Sequence, residues 1–245
     1  MSLLTDRLCK LAPLSKGEVR ALQTLEARPR SVDKGTDLVF PGIEKSRPFV
    51  IIEGFVIEYR LDPVGHRQIF DLLLPGDIAN IRSVVLHRTD EYISTISDAV
   101  VSPFSVETLH EVLAGHPGLG ATLIWISAVR RSLLAERLVD VGLRNAYQRI
   151  GHLLLELLTR MEWSGLSSND TLVVPLNLPV LGDMLALSAE HVSRTLGRLR
   201  KDGLIATRNS HISILDRPRL ASASGFDRSY LHPEGISRDL RERYR

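Results

Sequence analysis

The stretch Leu187-Ser188-Ala189-Glu190-His191-Val192-Ser193-Arg194-Thr195-Leu196 constrains the fold most, because it reads as a helix with two different faces. Val192, Leu196 and Leu199 recur at helical spacing and form an inward stripe, whereas Glu190, Ser193 and Arg194 fall together on the other side. These outward side chains are of the kinds that read base edges. A glutamate accepts from the cytosine amino group, an arginine makes two hydrogen bonds to guanine, and a serine serves either a polar edge or a phosphate. They occupy the first two turns, the end by which a recognition helix enters a major groove. Taken alone, the segment is equally an ordinary amphipathic surface helix.

The neighbours decide between these readings. Asn177 is placed to cap a preceding short helix, Pro179 is tolerated in its first turn, and Leu181, Met184 and Leu185 supply its apolar face. Ala186-Leu187 leaves room for a tight turn before Ser188 caps the second helix. After Leu199, Gly203 is the expected stop. Two strand-like runs follow, Leu204 to Arg208 and His211 to Leu215, separated by the turn pair Asn209-Ser210. The pattern is a helix-turn-helix with a hairpin wing.

The segment from about Leu176 to Leu215 resembles the winged helix of the bacterial Crp/Fnr superfamily, and Glu190-x-x-Ser193-Arg194 is similar to the E-x-x-S-R reading motif of its fumarate and nitrate reduction branch. The resemblance implies a homodimer that binds double-stranded DNA at a palindrome resembling TTGAT-N4-ATCAA, with RNA polymerase as a partner if the protein activates. It assigns base reading to Glu190, Ser193 and Arg194 and backbone contacts to Ser188, Arg198, Lys201 and Arg208. Two positions depart from the pattern. Ala186 stands where a glycine is common, a cost if the turn needs positive φ, and Ala189 stands where some relatives carry another base-contacting side chain.

Composition agrees with this reading without proving it. The 245 residues suffice for two domains with real cores, and the single cysteine, Cys9, excludes an internal disulfide framework. The N-terminus lacks a secretion-signal pattern and no apolar run approaches a membrane span, so a cytoplasmic protein without membrane contact is expected. A net charge of +2 is mild. The basic residues Arg194, Arg198, Arg200, Lys201 and Arg208 nevertheless crowd one short region against Asp202, so the charge is local.

From Ser31 to about Val106, short β-rich runs alternate with turn residues: Asp37 to Phe40, Phe49 to Ile52, Phe55 to Leu61, Gln68 to Leu74, Tyr92 to Ile96 and Val100 to Val106. An antiparallel barrel or jelly roll is expected. The order Phe49 to Val56 and Leu74-Pro75-Gly76-Asp77-Ile78 resembles the cyclic-nucleotide-binding-type domain of the same superfamily. The family's phosphate cassette is not intact, however. Ile78-Ala79-Asn80-Ile81-Arg82-Ser83 lacks its Gly-Glu pair, and Thr89-Asp90 stands where its arginine aligns. Arg82 and Arg88 are nearby cations, but an aspartate there opposes an anion. Cys9 alone cannot hold an iron-sulfur cluster. No cofactor is assigned.

Haem or metal sensing stays open on counting alone, since His66, His87, His110 and His116 are available. A cupin-like metal enzyme would use His66, His87 or His110 with Glu111. The spacing from His110 to His116 turns the two apart on a helix, and no nucleophile elbow or phosphate loop is present. The chain is not expected to be an enzyme.

Between the halves, about Leu119 to Asp140 reads as a long helix. Leu119, Leu123, Ile126, Val129 and Leu133 make one stripe, and Leu134, Leu138 and Val141 begin another. A helix with two apolar sides needs two partners: its own barrel and a second copy of the chain. The first stripe is assigned to the dimer interface. Gly142 to Asn145 reads as a hinge before a helix from Ala146 to Met161. The tail after Leu215 mixes breakers and charges and reads as peripheral and partly mobile. The expected fold class is α+β, with a sensor-type barrel over 1–116, a dimerisation helix and hinge over 117–144, a winged helix-turn-helix over 145–216 and a tail over 217–245.

Overall fold

In a computed structural model, which describes residues 2–11, 14–43, 46–86, 88–167, 169–208 and 211–236, the chain divides into two compact units. The first comprises Met1–Arg60, Leu72–Arg130 and His232–Arg245, and the second Leu61–Asp71 and Arg131–Leu231. Two helices lead in, α1 (Leu3–Leu11) and α2 (Lys16–Leu25), the latter opened by a capping box between Ser15 and Glu18. Eight strands follow: β1 (Arg30–Val32), β2 (Asp37–Val39), β3 (Phe49–Glu53), β4 (Val56–Leu61), β5 (Arg67–Leu73), β6 (Ile78–Ala79), β7 (Tyr92–Thr95) and β8 (Ala99–Pro103). They form two four-stranded sheets, β1-β8-β3-β6 and β2-β7-β4-β5.

The six expected strand runs correspond to β2, β3, β4, β5, β7 and β8. β1 and β6, of three and two residues, were not among the expected runs. The run expected to reach Val106 stops at Pro103, because the Ser105 hydroxyl accepts from the Thr108 amide and starts α3 (Val106–Gly115).

Helix α4 (Pro117–Leu143) is 27 residues long, and the partition runs through its middle, between Arg130 and Arg131. Its first apolar stripe faces inward. Leu119 is 2% exposed in a cluster with Leu4, Leu8, Val50, Ile78 and Phe104, and Leu123 and Ile126 pack against the same cluster. Leu133 is buried and Val129 half-buried. The assignment of Leu119, Leu123, Ile126, Val129 and Leu133 to a dimer interface is therefore corrected: these residues cover their own chain. The outward face carries Ile124, Leu134, Leu138 and Val141, all exposed. The inward stripe is the more regular of the two because a core demands large side chains at every turn, whereas the outward face interleaves Ala128, Arg131 and Ala135.

The second unit continues with α5 (Ala146–Trp163), β9 (Thr171–Leu172), α6 (Leu178–Leu185), α7 (Ala189–Lys201), β10 (Ile205–Arg208), β11 (His211–Ile214) and α8 (Arg217–Ser224), then a 3-10 turn over Arg228–Leu231. The expected hinge shrinks to Arg144, since α4 runs to Leu143 and Asn145 caps α5 in a box with Gln148. Arg149 secures this corner by donating to the carbonyls of Val141, Arg144 and Leu185.

The tail also needs correction. Leu220, Ser224 and Leu231 are buried, and α8 lies against α5 at Gly151, where an added Cβ would stand 2.9 Å from Ser224 Cβ and 3.0 Å from Leu220 Cδ1. Small residues let the two backbones approach. Asp216 as N-cap, Pro218 in the first turn and Gly225 at the stop are helix punctuation visible in the sequence. The closing run Arg238 to Arg245 lies outside the described residues. Gly151→Val should lower unfolding free energy by about 1–3 kcal/mol, as overpacking does. Urea denaturation checks this, and an unchanged midpoint would show that α8 is peripheral after all.

Candidate nucleic-acid interface

Helices α6 and α7 meet at a corner with almost no free space. Asn177 Oδ1 accepts from the Val180 amide to start α6, and the Ser188 hydroxyl accepts from the His191 amide to start α7. Between them Ala186 sits at φ 53°, ψ 49°, the left-handed region in which alanine is strained. Gly182 makes the turn possible, because a Cβ there would lie 2.5 Å from the Leu187 carbonyl oxygen. The Leu187 amide donates to the Gly182 carbonyl at 3.0 Å.

This corner fixes which face of α7 is free. Val192, Thr195, Leu196 and Leu199 are buried, and Glu190, Ser193 and Arg194 are exposed together in the first two turns. Arg194 Nη1 pairs with Glu190 Oε1 one turn back, with both side chains largely in solvent. Such an exposed pair adds little stability. Its effect is to hold an arginine fork and a carboxylate side by side on the exposed face of α7. Ser188 is exposed and spends its acceptor capacity on the cap, leaving its proton for an outside acceptor.

The basic residues lie toward the other end. Arg198, Arg200, Lys201 and Arg208 are exposed. Arg198 lies over the Tyr147 ring, 5.2 Å from its centroid, and the Tyr147 hydroxyl donates to Asp202 Oδ2 at 2.7 Å. Burial, and then the Asp202 carboxylate, push the Tyr147 phenol up to about 12, so it stays a neutral donor. Arg200 donates to Thr207 on β10, and Arg219 on α8 reaches the Asp202 carbonyl. Tyr147 and Arg219 were not legible as site residues, since each joins the surface only through folding. β10 and β11 pair antiparallel with Arg208 opposite His211, and β9 extends the wing to three strands. Asn209-Ser210, the expected wing turn, lies outside the described residues.

Elsewhere the candidates do not converge. Arg82, one of the two cations beside the altered cassette, pairs with Asp90 and Glu91, and Arg60 pairs with the same two carboxylates, so these two charges are already balanced from within the chain. His66 pairs with Asp62 in the β4–β5 turn. His116 caps the end of α3, its ring 3.0 Å from where a Cβ on Gly17 would stand. His87 lies outside the described residues. Among the described residues no group of three or more histidine, cysteine, aspartate or glutamate side chains is placed to hold a metal.

Residues 148–223 match the family model of the Crp-like helix-turn-helix domain. The chain thus carries a Crp-like helix-turn-helix domain over these residues. It is 23% identical over 224 residues to the fumarate and nitrate reduction regulatory protein of Escherichia coli strain K12, covering 91% of this chain and 89% of that one. FixK2 from Bradyrhizobium japonicum superposes with a TM-score of 0.72 at 22% identity over 80% of this chain and 96% of its own. CLP, the c-di-GMP responsive global regulator of Xanthomonas campestris, gives 0.63 at 17% identity over 82% and 100%. These relatives are regulators and not enzymes, in line with the sequence reading. No described helix is long and apolar enough to cross a membrane.

In this helix-turn-helix corner the left-handed turn residue is a direct test of geometry. Ala186→Gly should stabilise the protein by about 0.5–1 kcal/mol, because glycine adopts positive φ without the Cβ clash. Thermal denaturation checks the sign. A lower melting temperature would mean that the turn is not left-handed in solution.

Proposed function

We propose that this DNA-binding regulator acts in the cytoplasm as a homodimer on a palindrome resembling TTGAT-N4-ATCAA, each recognition helix reading a half-site through Glu190, Ser193 and Arg194. The observation that carries the reading is the joint exposure of these three side chains at the N-terminal end of α7, directly after a helix-turn-helix corner. Ser188, Arg198, Lys201 and Arg208 take phosphates, and contact with RNA polymerase follows if the protein activates. The pairing of Arg60 and Arg82 with Asp90 and Glu91 supports a barrel that takes no cyclic phosphate. The metal and haem alternatives gain no support from the placement of the described histidines.

The dimer is proposed along the outward face of α4. Ile124, Leu134, Leu138 and Val141 recur at spacing close to seven and its parts, and this apolar stripe matches a two-helix seam with a second copy. A palindromic site requires a two-fold protein, which favours a copy of the chain as the occupant.

Selection of bound sequences from a random library with ligand-free protein tests the site. Arg194→Ala should cost about 1–3 kcal/mol at the guanine and blur one base pair per half-site, while Arg208→Ala weakens all sequences alike and flattens the salt dependence. Uniform loss for Arg194→Ala with an unchanged preferred site would make it a phosphate contact.

Leu138→Glu places a charge in the proposed seam and should yield a monomer of unchanged circular dichroism in sedimentation experiments. Ile126→Glu instead buries a charge inside the chain and should lower stability by several kcal/mol. A Leu138→Glu protein that remains dimeric at micromolar concentration would place the seam elsewhere.

A further inference from the structure

The second unit buries an ionic cluster that DNA reading does not use. From α4, Arg137 meets Asp140 at 3.2 Å and, from α5, Glu156 at 3.0 Å. Arg144 meets Asp140 at 2.9 Å and Glu136 at 2.6 Å. Arg160 on α5 meets Asp71 on β5 at 3.1 Å and Glu156 at 3.5 Å, and the Tyr230 hydroxyl donates to Glu156 at 3.0 Å.

His152 sits in the middle, fully buried, its ring stacked on Tyr230 and edge-on to Phe226. Its Nε2 lies 3.3 Å from Glu136 and its Nδ1 3.8 Å from Asp140, yet neither nitrogen has a hydrogen-bond partner. Whichever nitrogen of a neutral ring carries the proton, the lone pair of the other faces a carboxylate.

The charge balance points to where a proton belongs. Glu136, Asp140, Glu156 and Asp71 carry four negative charges when ionised, against three positive charges on Arg137, Arg144 and Arg160. One added proton neutralises the set. A second makes it positive and none leaves it negative, and an unbalanced charge is costly in a dry interior.

We propose that His152 and Asp140 hold one proton between them across the neutral range, making the α4–α5 corner and the seating of Phe226 and Tyr230 a proton-dependent lock. Burial acts accordingly on both groups, holding the Asp140 carboxyl above its ordinary range and the His152 imidazole below its own. The pair titrates as a unit: the first proton is held tightly and the second is resisted.

The sign follows on each side. Below about pH 6.5 the unfolded chain's histidine takes up a proton that the folded corner refuses, so stability falls until the folded His152 itself titrates. On the alkaline side, the folded corner keeps on Asp140 a proton that the unfolded aspartate lacks. That contribution is complete below the ordinary aspartate range and is lost as pH rises through the folded Asp140 titration.

The test uses the full chain. Histidine ring resonances, assigned through bonds in the unsubstituted protein, are followed by NMR as pH is lowered, and folding constants are measured in urea. His152 should remain neutral at least about one pH unit below 6.5, and the folding constant should fall by up to about tenfold per pH unit in that window. Asp140→Asn mimics the protonated carboxyl and should keep the folding constant within about threefold at pH 7.5. An ordinary His152 midpoint near 6.5 would overturn the proposal. So would a loss above about a hundredfold in Asp140→Asn, including failure to fold, because removing an ionised partner would strand Arg137 and Arg144.

Discussion

The absence of a single methyl-sized group at Gly182 sets up the recognition surface. The Leu187 carbonyl occupies the space that a Cβ would fill, 2.5 Å away, and so the chain leaves α6 and enters α7 within three residues. The rest is geometry. With the corner fixed, Val192, Leu196 and Leu199 must enter the core, and the 3.6-residue period leaves Glu190, Ser193 and Arg194 nowhere to go but outward. The strained φ of Ala186 is a local cost that this packing overrides.

The parts of the structure that were legible are those where a local rule and the tertiary context agree. Asn177, Ser188 and Gly203 punctuate α6 and α7 in sequence as they do in space. The strands β2, β3, β4, β5, β7 and β8 were visible, whereas β1, β6 and β9 are short pieces whose pairing is decided by distant partners. α8 was misread because its residues are small and polar. Ser224 suits close approach to Gly151, and Leu220 beside it is too isolated an apolar residue to make a detectable stripe.

The inversion of the α4 faces has a different cause. Both stripes were read, but periodicity carries no label for which partner a stripe meets. Burial supplies that label: Leu119 is 2% exposed and Leu138 70%. The site residues show the same limit. The exposed set Glu190, Ser193 and Arg194 follows from α7 alone, whereas Tyr147, Asp202 and Arg219 come from parts of the chain that only the folded unit brings together.

The buried cluster at the α4–α5 corner invites comparison with an apolar alternative. Removing ionised groups from water costs several kcal/mol each, and hydrophobic residues of similar volume often stabilise a fold equally well or better. An apolar corner, however, tolerates sliding, since dispersion contacts are non-directional. The forks of Arg137 and Arg144 on Asp140, and of Arg137 on Glu156, accept few arrangements. In a molecule whose α4 leads into this corner and whose α5 packs against α7, angular definition is worth more than raw stability. The ionic corner supplies it. The buried His152 in the midst of the cluster, whose charging burial opposes, is the group through which the proposed lock would tie that definition to a proton.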